Sequence, residues 1–282
     1  MKKTKKKTII SAALATYNEE NNIVDCIDSL KKIADEIVIV DGSSTDRTFQ
    51  LAKKMGVKIL TTSNKPMFNI NKNLAIENCN GNWILLMDAD ERIGDELAEE
   101  ILSAVSRQPS TVNGFWINRK NWFLGEYLKK GGTYPDSVIR LFKKGKGRLP
   151  EKDVHEQVQV EGEVGRLEND ILHLSDPDFE RYLKRAIRYT DRTAQNLREI
   201  DPGKGVVQIV NYIVVKPIVT FLNIYFRHKG YQDGFRGFVW ALFSGAHHFY
   251  SYVKYWSDES NSGSGIGDRS KTLKKEISEE RH

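Results

Sequence analysis

Residues 8–16 read TIISAALAT, an apolar run that stops at a polar loop around Asn18 and predicts a first β-strand. A basic start and small residues at Ala13 and Ala15 make the same stretch imitate a secretory signal. The strand is the better reading, because an α/β alternation continues from it. Ile23, Ile27 and Leu30 recur at i, i+4 and i+7 and predict an amphipathic helix over 21–32. The run EIVIVD at 36–41 is a buried-strand pattern ending in an acid. Ser44 and Thr45 can cap the helix that follows, which carries Phe49, Leu51, Ala52 and Met55 and stops at Gly56. Further strands are predicted at 57–60 and 82–87 and helices at 69–79 and 95–106. Strands alternating with helices of this length predict βαβ units and a parallel sheet covered on both faces.

The pattern changes near residue 110. Short strands are predicted at 115–118, 137–142, 158–160 and 171–174, then a helix over 178–198 rich in Arg and Tyr. Residues 206–256 read as two helices parted by Lys229 and Gly230. No eighteen-residue run is clean enough for a transmembrane helix; the nearest, 206–226, is interrupted by Asn211, Lys216 and Pro217. The division expected is a basic leader (1–7), a first α/β half (8–110), a second half of the same domain (111–200), an aromatic basic helical segment (201–256) and a disordered polar tail (257–282).

Charge and composition exclude several classes. The chain has 43 Lys and Arg against 38 Asp and Glu, and five of those cations are Lys2, Lys3, Lys5, Lys6 and Lys7. Without the leader the balance is even, which argues against a nucleic-acid binder. A hydrophobic content of 39% is enough for a packed core. Two cysteines, Cys26 and Cys79, exclude a disulfide scaffold or a multi-Cys metal site and fit a reducing compartment. No GxGxxG follows a strand and no GxxxxGK[ST] occurs, which disfavours a nicotinamide oxidoreductase and excludes a P-loop nucleotidase.

Three polar clusters follow three of the predicted strands. The most informative is Asp88-Ala89-Asp90-Glu91. Acids at alternate positions leaving a buried strand point to one side, where ligands of open parallel sheets bind. A paired carboxylate there suits a hard divalent cation held together with substrate phosphates; the bland alternative is a solvated strand end. The second cluster, Asp41-Gly42-Ser43-Ser44-Thr45-Asp46, offers backbone N–H groups to an anion and Asp41 to a base N–H, or is an ordinary capped turn. The third, Thr16-Tyr17-Asn18-Glu19-Glu20, reads locally as a helix N-cap by Asn18. Together they would line one crevice at the top of the sheet.

The blocks ATYNEENNI, ADEIVIVDGSSTDRT, NKNLAIENCNGNWILLMDADE and VIRLF…VHE resemble family 2 glycosyltransferases of the GT-A fold, over roughly residues 8–255. More narrowly they resemble the bacterial branch that includes lipopolysaccharide-core β-glucosyltransferases. The resemblance implies a Rossmann-like mixed α/β sheet with a C-terminal helical appendage. It implies inverting transfer of a sugar from a nucleotide diphosphate donor, normally a UDP-sugar such as UDP-glucose, with Mg²⁺ or Mn²⁺. Thr16, Asn18, Glu19, Asp41, Gly42 and Ser43 would then hold the nucleoside. Lys72 and Asn73 stand where the family usually has Arg-Asn; Lys72 could neutralise the diphosphate or contact the base, without the bidentate geometry of Arg. Asp88 would face the ribose or metal-bound water, and Asp90 would ligate the metal. Arg140, inside an apolar strand, wants an anion: the diphosphate or a structural salt bridge. His173 is a core histidine or a recruited metal ligand. The base expected is Glu156, with His155 orienting substrate and Asp153 and Asp136 as rivals. Trp116 and Trp122 could stack on a sugar or pack in the core.

Residues 206–256 hold 14 of the chain's 28 aromatics, with five Lys or Arg and one Asp. Tyr and Trp among cations suit a membrane interface; a helical lid or a dimer interface is the alternative. The partners expected are a nucleotide-sugar donor, a lipid-linked or polysaccharide acceptor of the cell envelope, peripheral contact with the inner face of the cytoplasmic membrane, a homodimer as one option, and no nucleic acid. Two rival classes remain: a catalytically inactive scaffold of the same fold, and a phosphatase that also uses DxD with Mg²⁺. In the latter a Gly-Thr/Val pair follows the nucleophile, whereas Glu91-Arg92 follow here.

Overall fold

The computed structural model describes residues 9–65, 68–107, 111–150, 157–176 and 178–263, with side chains to 257. The first unit, through Tyr127 and again over Thr133–Ser175, begins β1 (Ile10–Thr16), α1 (Ile23–Leu30), β2 (Glu36–Asp41), α2 (Thr48–Lys54), β3 (Lys58–Thr61), α3 (Phe68–Glu77), β4 (Trp83–Met87). It continues β5 (Glu91–Ile93), α4 (Asp95–Ser106), β6 (Val112–Phe123), β7 (Glu126–Tyr127), β8 (Asp136–Lys143), β9 (Gly147–Arg148), β10 (Gln159–Val160), β11 (Glu163–Asp176). One sheet runs in the order β3-β2-β1-β4-β8-β6-β11-β5, with β7 beside β6; β9 and β10 pair separately. β3, β2, β1 and β4 are parallel. β8 turns antiparallel to β4, β6 to β8, and β11 to β5. The parallel sheet expected is therefore one half of a mixed sheet.

Alternation along the parallel strands builds two cores. Ile10, Ala12 and Leu14 of β1 join Ile39, Trp83, Leu85 and Met87 in a cluster closed by α1 and α4. Ala13, Val38, Val40, Ile84 and Leu86 face the other way, against Ala75 and Ile76 of α3. This leaves the carboxyl ends of β1, β2 and β4 side by side, because Thr16 is in register with Asp41 and Leu14 with Met87.

The second unit comprises Leu128–Gly132 and the chain from Asp176. Its helices are α5 (Phe179–Ile200), α6 (Val206–Arg227) and α7 (Gly234–Gly263), with a 3₁₀ turn at Gly230–Asp233. The Asp178 side chain caps α5 by accepting from the Arg181 N–H. Ala194 and Leu197 of α5 pack with Tyr252 and Tyr255 of α7. This packing groups residues 176–200 with the helical segment. Gly245 lets α7 approach α6: a Cβ there would stand 2.5 Å from the Pro217 carbonyl oxygen.

Candidate active site

The loops after β1 and β2 are sewn to each other. Asn18 donates its N–H to Ser44 Oγ at 2.9 Å, and its Oδ1 accepts the Thr45 N–H at 2.8 Å. The Glu19 N–H reaches Thr48 Oγ1 at 2.7 Å, and the Glu20 N–H reaches Asp46 Oδ2 at 3.0 Å. Asn18 therefore caps no helix: α1 starts at Ile23, and its N-cap Asn22 makes no side-chain cap bond. Ser44 and Thr45 likewise serve the cross-loop contacts, while Asp46 Oδ1 accepts the Thr48 N–H at the start of α2. Asn18 (φ 56°) and Ser43 (φ 62°) occupy the left-handed region, unusual for side-chain-bearing residues and concentrated at functional loops. Ser43 is held by its hydroxyl on the Thr62 carbonyl at 2.8 Å.

Asp41 is buried. Its Oδ1 accepts from Ser44 Oγ at 2.5 Å and Thr16 Oγ1 at 3.3 Å, and its Oδ2 from the Ser44 N–H at 2.9 Å. The acid thus shapes the turn. The Gly42 N–H donates to the Thr16 carbonyl at 2.8 Å, and a Cβ at Gly42 would lie 3.2 Å from Asn64 Cα.

After β4 the chain makes a tight turn closed by the Glu91 N–H on the Asp88 carbonyl at 3.0 Å. The Asp88 N–H returns a bond to Glu91 Oε2 at 2.9 Å. Arg140, on β8, donates one terminal nitrogen to Asp88 Oδ2 at 2.5 Å and Glu91 Oε1 at 2.6 Å. Lys72 Nζ lies 2.5 Å from Asp88 Oδ1. Glu91 exposes 0% of its side chain and also meets Arg119 at 3.4 Å. Burial opposes the charged form of Asp88, but Arg140 and Lys72 outweigh it and hold the carboxyl well below the usual carboxylate range. Burial likewise disfavours the Arg140 cation, and Asp88 and Glu91 more than offset it.

These contacts give four of the expected residues partners within the protein. Both oxygens of Asp88 are engaged by cations. Arg140 is buried and makes the salt bridge that was the structural alternative. Asn73 is buried on α3 and brackets Leu149, donating to its carbonyl at 2.9 Å and accepting its N–H at 3.1 Å. Asp136 is held by Arg119 at 2.7 Å and by Asn121. Trp116 packs against the second core cluster and Trp122 stacks edge-on with Tyr127, the packing alternative for both. Glu156, His155 and Asp153 lie outside the described residues.

Asp90 and His173 come together because β11 pairs with β5, setting His173 opposite Glu91. His173 Nε2 is 3.6 Å from Asp90 Oδ2, and the two side chains are 14% and 21% exposed. His173 Nδ1 is 2.6 Å from Asn121 Oδ1. The Asn121 amide nitrogen donates to the Thr133 carbonyl at 3.1 Å and Asp136 Oδ2 at 3.2 Å. Two acceptors on that side assign the amide, so Oδ1 faces the ring and the Nδ1 hydrogen donates to it. Nε2 is then the ring nitrogen on the Asp90 side. Among the described residues no three His, Cys, Asp or Glu side chains form a metal-holding group. The donor set is thus one carboxylate and one oriented imidazole. It fits a divalent cation that completes its shell with water and substrate oxygens. Glu91, Arg119 and Asn121 were not singled out from sequence; only Glu91, inside the DADE string, carried a local signal.

A mixed sheet with acid-bearing loops at the carboxyl ends of its parallel strands matches the GT-A fold. The profile described as "Glycosyl transferase family 2" matches residues 11–160, and the chain belongs to that family. It is 28% identical over 263 residues to the lipopolysaccharide core biosynthesis glycosyltransferase LpsC of Rhizobium meliloti, covering 88% of this chain and 92% of that one. It is 39% identical over 243 residues to an uncharacterized glycosyltransferase of Rickettsia conorii, covering 82% and 83%. Among solved structures, mannosyltransferase PcManGT from Pyrobaculum calidifontis, in complex with GDP-Man and Mn²⁺, shares the fold at TM-score 0.50. Its identity is 15%, over 90% of this chain and 88% of that one. The protein is therefore a glycosyltransferase, and the phosphatase reading of its DxD falls.

Proposed function

We propose that the protein transfers a sugar, with inversion, from a UDP-sugar to an envelope glycolipid or polysaccharide precursor. The observation that carries this is the side-by-side placement of the carboxyl ends of β1, β2 and β4, with the Asp90–His173 pair following β4. The name of the Rhizobium relative supports a lipopolysaccharide-core acceptor. Thr16, Asn18, Glu19 and the Asp41–Ser43 turn would receive the nucleoside. Lys72 is the cation best placed to exchange Asp88 for the diphosphate, since its side chain is 17% exposed against 8% for Arg140. Asp90 and His173 would hold Mg²⁺ or Mn²⁺, which when bound supplies Lewis-acid neutralisation of the leaving diphosphate. Glu156 would take the proton of the acceptor hydroxyl, with His155 orienting substrate. The helical unit would keep the enzyme at the cytoplasmic face of the membrane, near a lipid-linked acceptor.

The test is calorimetry with a panel of nucleotides and nucleotide sugars, with Mn²⁺ or chelator. Wild type should bind one nucleotide sugar in a metal-dependent manner. Asp90→Asn should lose that dependence, and Glu156→Gln should bind donor but not transfer it. Metal-independent binding unchanged in Asp90→Asn refutes the metal assignment, and transfer at wild-type rate by Glu156→Gln refutes the base.

A further inference from the structure

Helix α6 presents an apolar row that α-helical periodicity alone does not produce. Val206, Val210, Val214, Ile218, Leu222 and Phe226 follow one another at every fourth residue, and each is between 45% and 76% exposed. In a regular α-helix every fourth residue advances by about 40°, so five steps would carry the row about 200° around the axis. In α6 the turns Asn211–Val215 and Asn223–Arg227 are π-helical. Their wider i→i+5 turns rotate each residue less and take back part of that drift. Val207, Val215 and Val219 widen the row, and none of the most apolar eighteen-residue window of α6 is buried. Contiguous exposed apolar surface on this scale marks an interaction site.

Charge identifies the partner. Arg227, His228 and Lys229 close the C-terminal end of the row. The distant loop Leu128–Gly132 is fastened there, with the Gly131 N–H on the His228 carbonyl at 2.9 Å. The Lys129 and Lys130 N–H groups donate to the Asp233 carboxylate at 3.1 and 2.8 Å. Lys129, Lys130, Arg227 and Lys229 are all exposed. Asp233, the one acid in 206–256, is turned onto backbone amides and lies within this cluster. Among the aromatics of this segment Tyr252 and Tyr255 are 1% and 0% exposed, whereas Tyr231, Tyr250 and Trp256 are 47%, 49% and 45% exposed.

We propose that the exposed row of α6 is a membrane-docking face. It lies in the plane of a bilayer containing anionic lipid, with its aliphatic side chains among the acyl boundary and Lys129, Lys130, Arg227 and Lys229 on lipid phosphates. An in-plane helix suits Lys216 and Pro217, which stand midway along α6; a spanning one would carry the Lys216 ammonium to the bilayer centre. This deepens the membrane part of the proposed function by naming the surface and the lipid, and it is independent of the sugar-transfer chemistry.

The experiment is co-sedimentation of the full chain with phosphatidylcholine vesicles, with and without phosphatidylglycerol, at low and high salt. Wild type should partition onto the anionic vesicles, less so at high salt. The exposed-site variant Val210→Asp/Ile218→Asp should partition about tenfold less or lower still. Lys129→Glu/Lys130→Glu should lose the preference for anionic lipid and flatten the salt dependence. Both variants should keep wild-type nucleotide binding and melting temperature. If wild type ignores vesicles, the membrane reading itself fails. If wild type binds and Val210→Asp/Ile218→Asp binds equally, this face is the wrong one. A lipid-free dimer broken by the same aspartates would assign the row to a second copy, and bound protein that resists alkaline carbonate would make α6 a spanning helix. Either result overturns the proposal.

Discussion

Replacing Arg140 by Met removes the cation that Asp88 and Glu91 share. Asp88 keeps Lys72 at 2.5 Å, but Glu91, with 0% exposure, is left with Arg119 at 3.4 Å. Breaking a buried pair by removing one partner costs about 3–5 kcal/mol, and the residual Arg119 contact puts the loss near the lower end. Glu91→Leu should cost as much, because it also strips the acceptor from the Asp88 N–H. The double variant Glu91→Leu/Arg140→Met removes both charges. Its loss should fall short of the sum of the singles by about 1–3 kcal/mol. Acid adds a second signature. Burial raises the Asp88 pKa, but Arg140 and Lys72 overcome it and set the folded value well below the unfolded one. A depressed folded pKa contributes stability above the unfolded value, about 3.9, and loses it as pH falls through the folded one. The wild-type advantage over Arg140→Met should therefore be full above about pH 4 and shrink below it. Urea unfolding read by tryptophan fluorescence is the assay, since Trp83 is buried at the start of β4. Additive losses, or singles costing under about 1 kcal/mol, would show that the triad is solvated and refute the reasoning.

Asn121→Leu should leave His173 without its Nδ1 acceptor and weaken Mn²⁺ binding about 10- to 100-fold. Nitrogen NMR of His173 in the metal-free protein should show a loss of the single tautomer, and an unchanged tautomer sinks the assignment. Gly81→Ala would bring a Cβ to 2.6 Å from Ser11 Oγ and 2.8 Å from both the Ile9 carbonyl and the Ser11 nitrogen. Backbone there cannot give way, so a loss of about 1–3 kcal/mol should appear in thermal melts. Burial pushes both cysteine thiols up, Cys79 to about 12. Neither should react with a disulfide reagent near pH 8 until the chain is unfolded, and prompt labelling of the native protein would contradict the packing.

Those elements were legible in the sequence whose local pattern and tertiary setting agree. β2 is buried over five of its six residues and β4 throughout, so EIVIVD and WILLM read as apolar runs. α4 keeps Leu97, Ile101 and Val105 inside and falls on the expected 95–106. β11 extends from Glu163 although only 171–174 was readable, because exposed Glu163, Arg166 and Glu168 break the apolar run of its first half. β5, with three residues, is too short to carry a period. Asn18, Ser44 and Thr45 were misread for a different reason. Capping rules assign such residues to the nearest helix, and here bonds between two loops 26 or 27 residues apart took them instead.

The same distinction separates the two acids of the DxD. From spacing alone Asp88 and Asp90 look equivalent, because alternate residues leaving a strand share a side. The partners that divide them come from elsewhere in the chain: Arg140 from β8, Lys72 from α3, and His173 from β11. With two cations on it, Asp88 is neutralised before any ligand arrives, and its pairing with Arg140 ties β4 to the antiparallel half of the sheet. Asp90 instead faces an imidazole whose orientation is fixed through Asn121, Asp136 and Arg119. A metal attracted to this turn would therefore meet one carboxylate that already holds two cations and one that stands beside an oriented imidazole. Exchanging their surroundings, not their identities, is what would move the site.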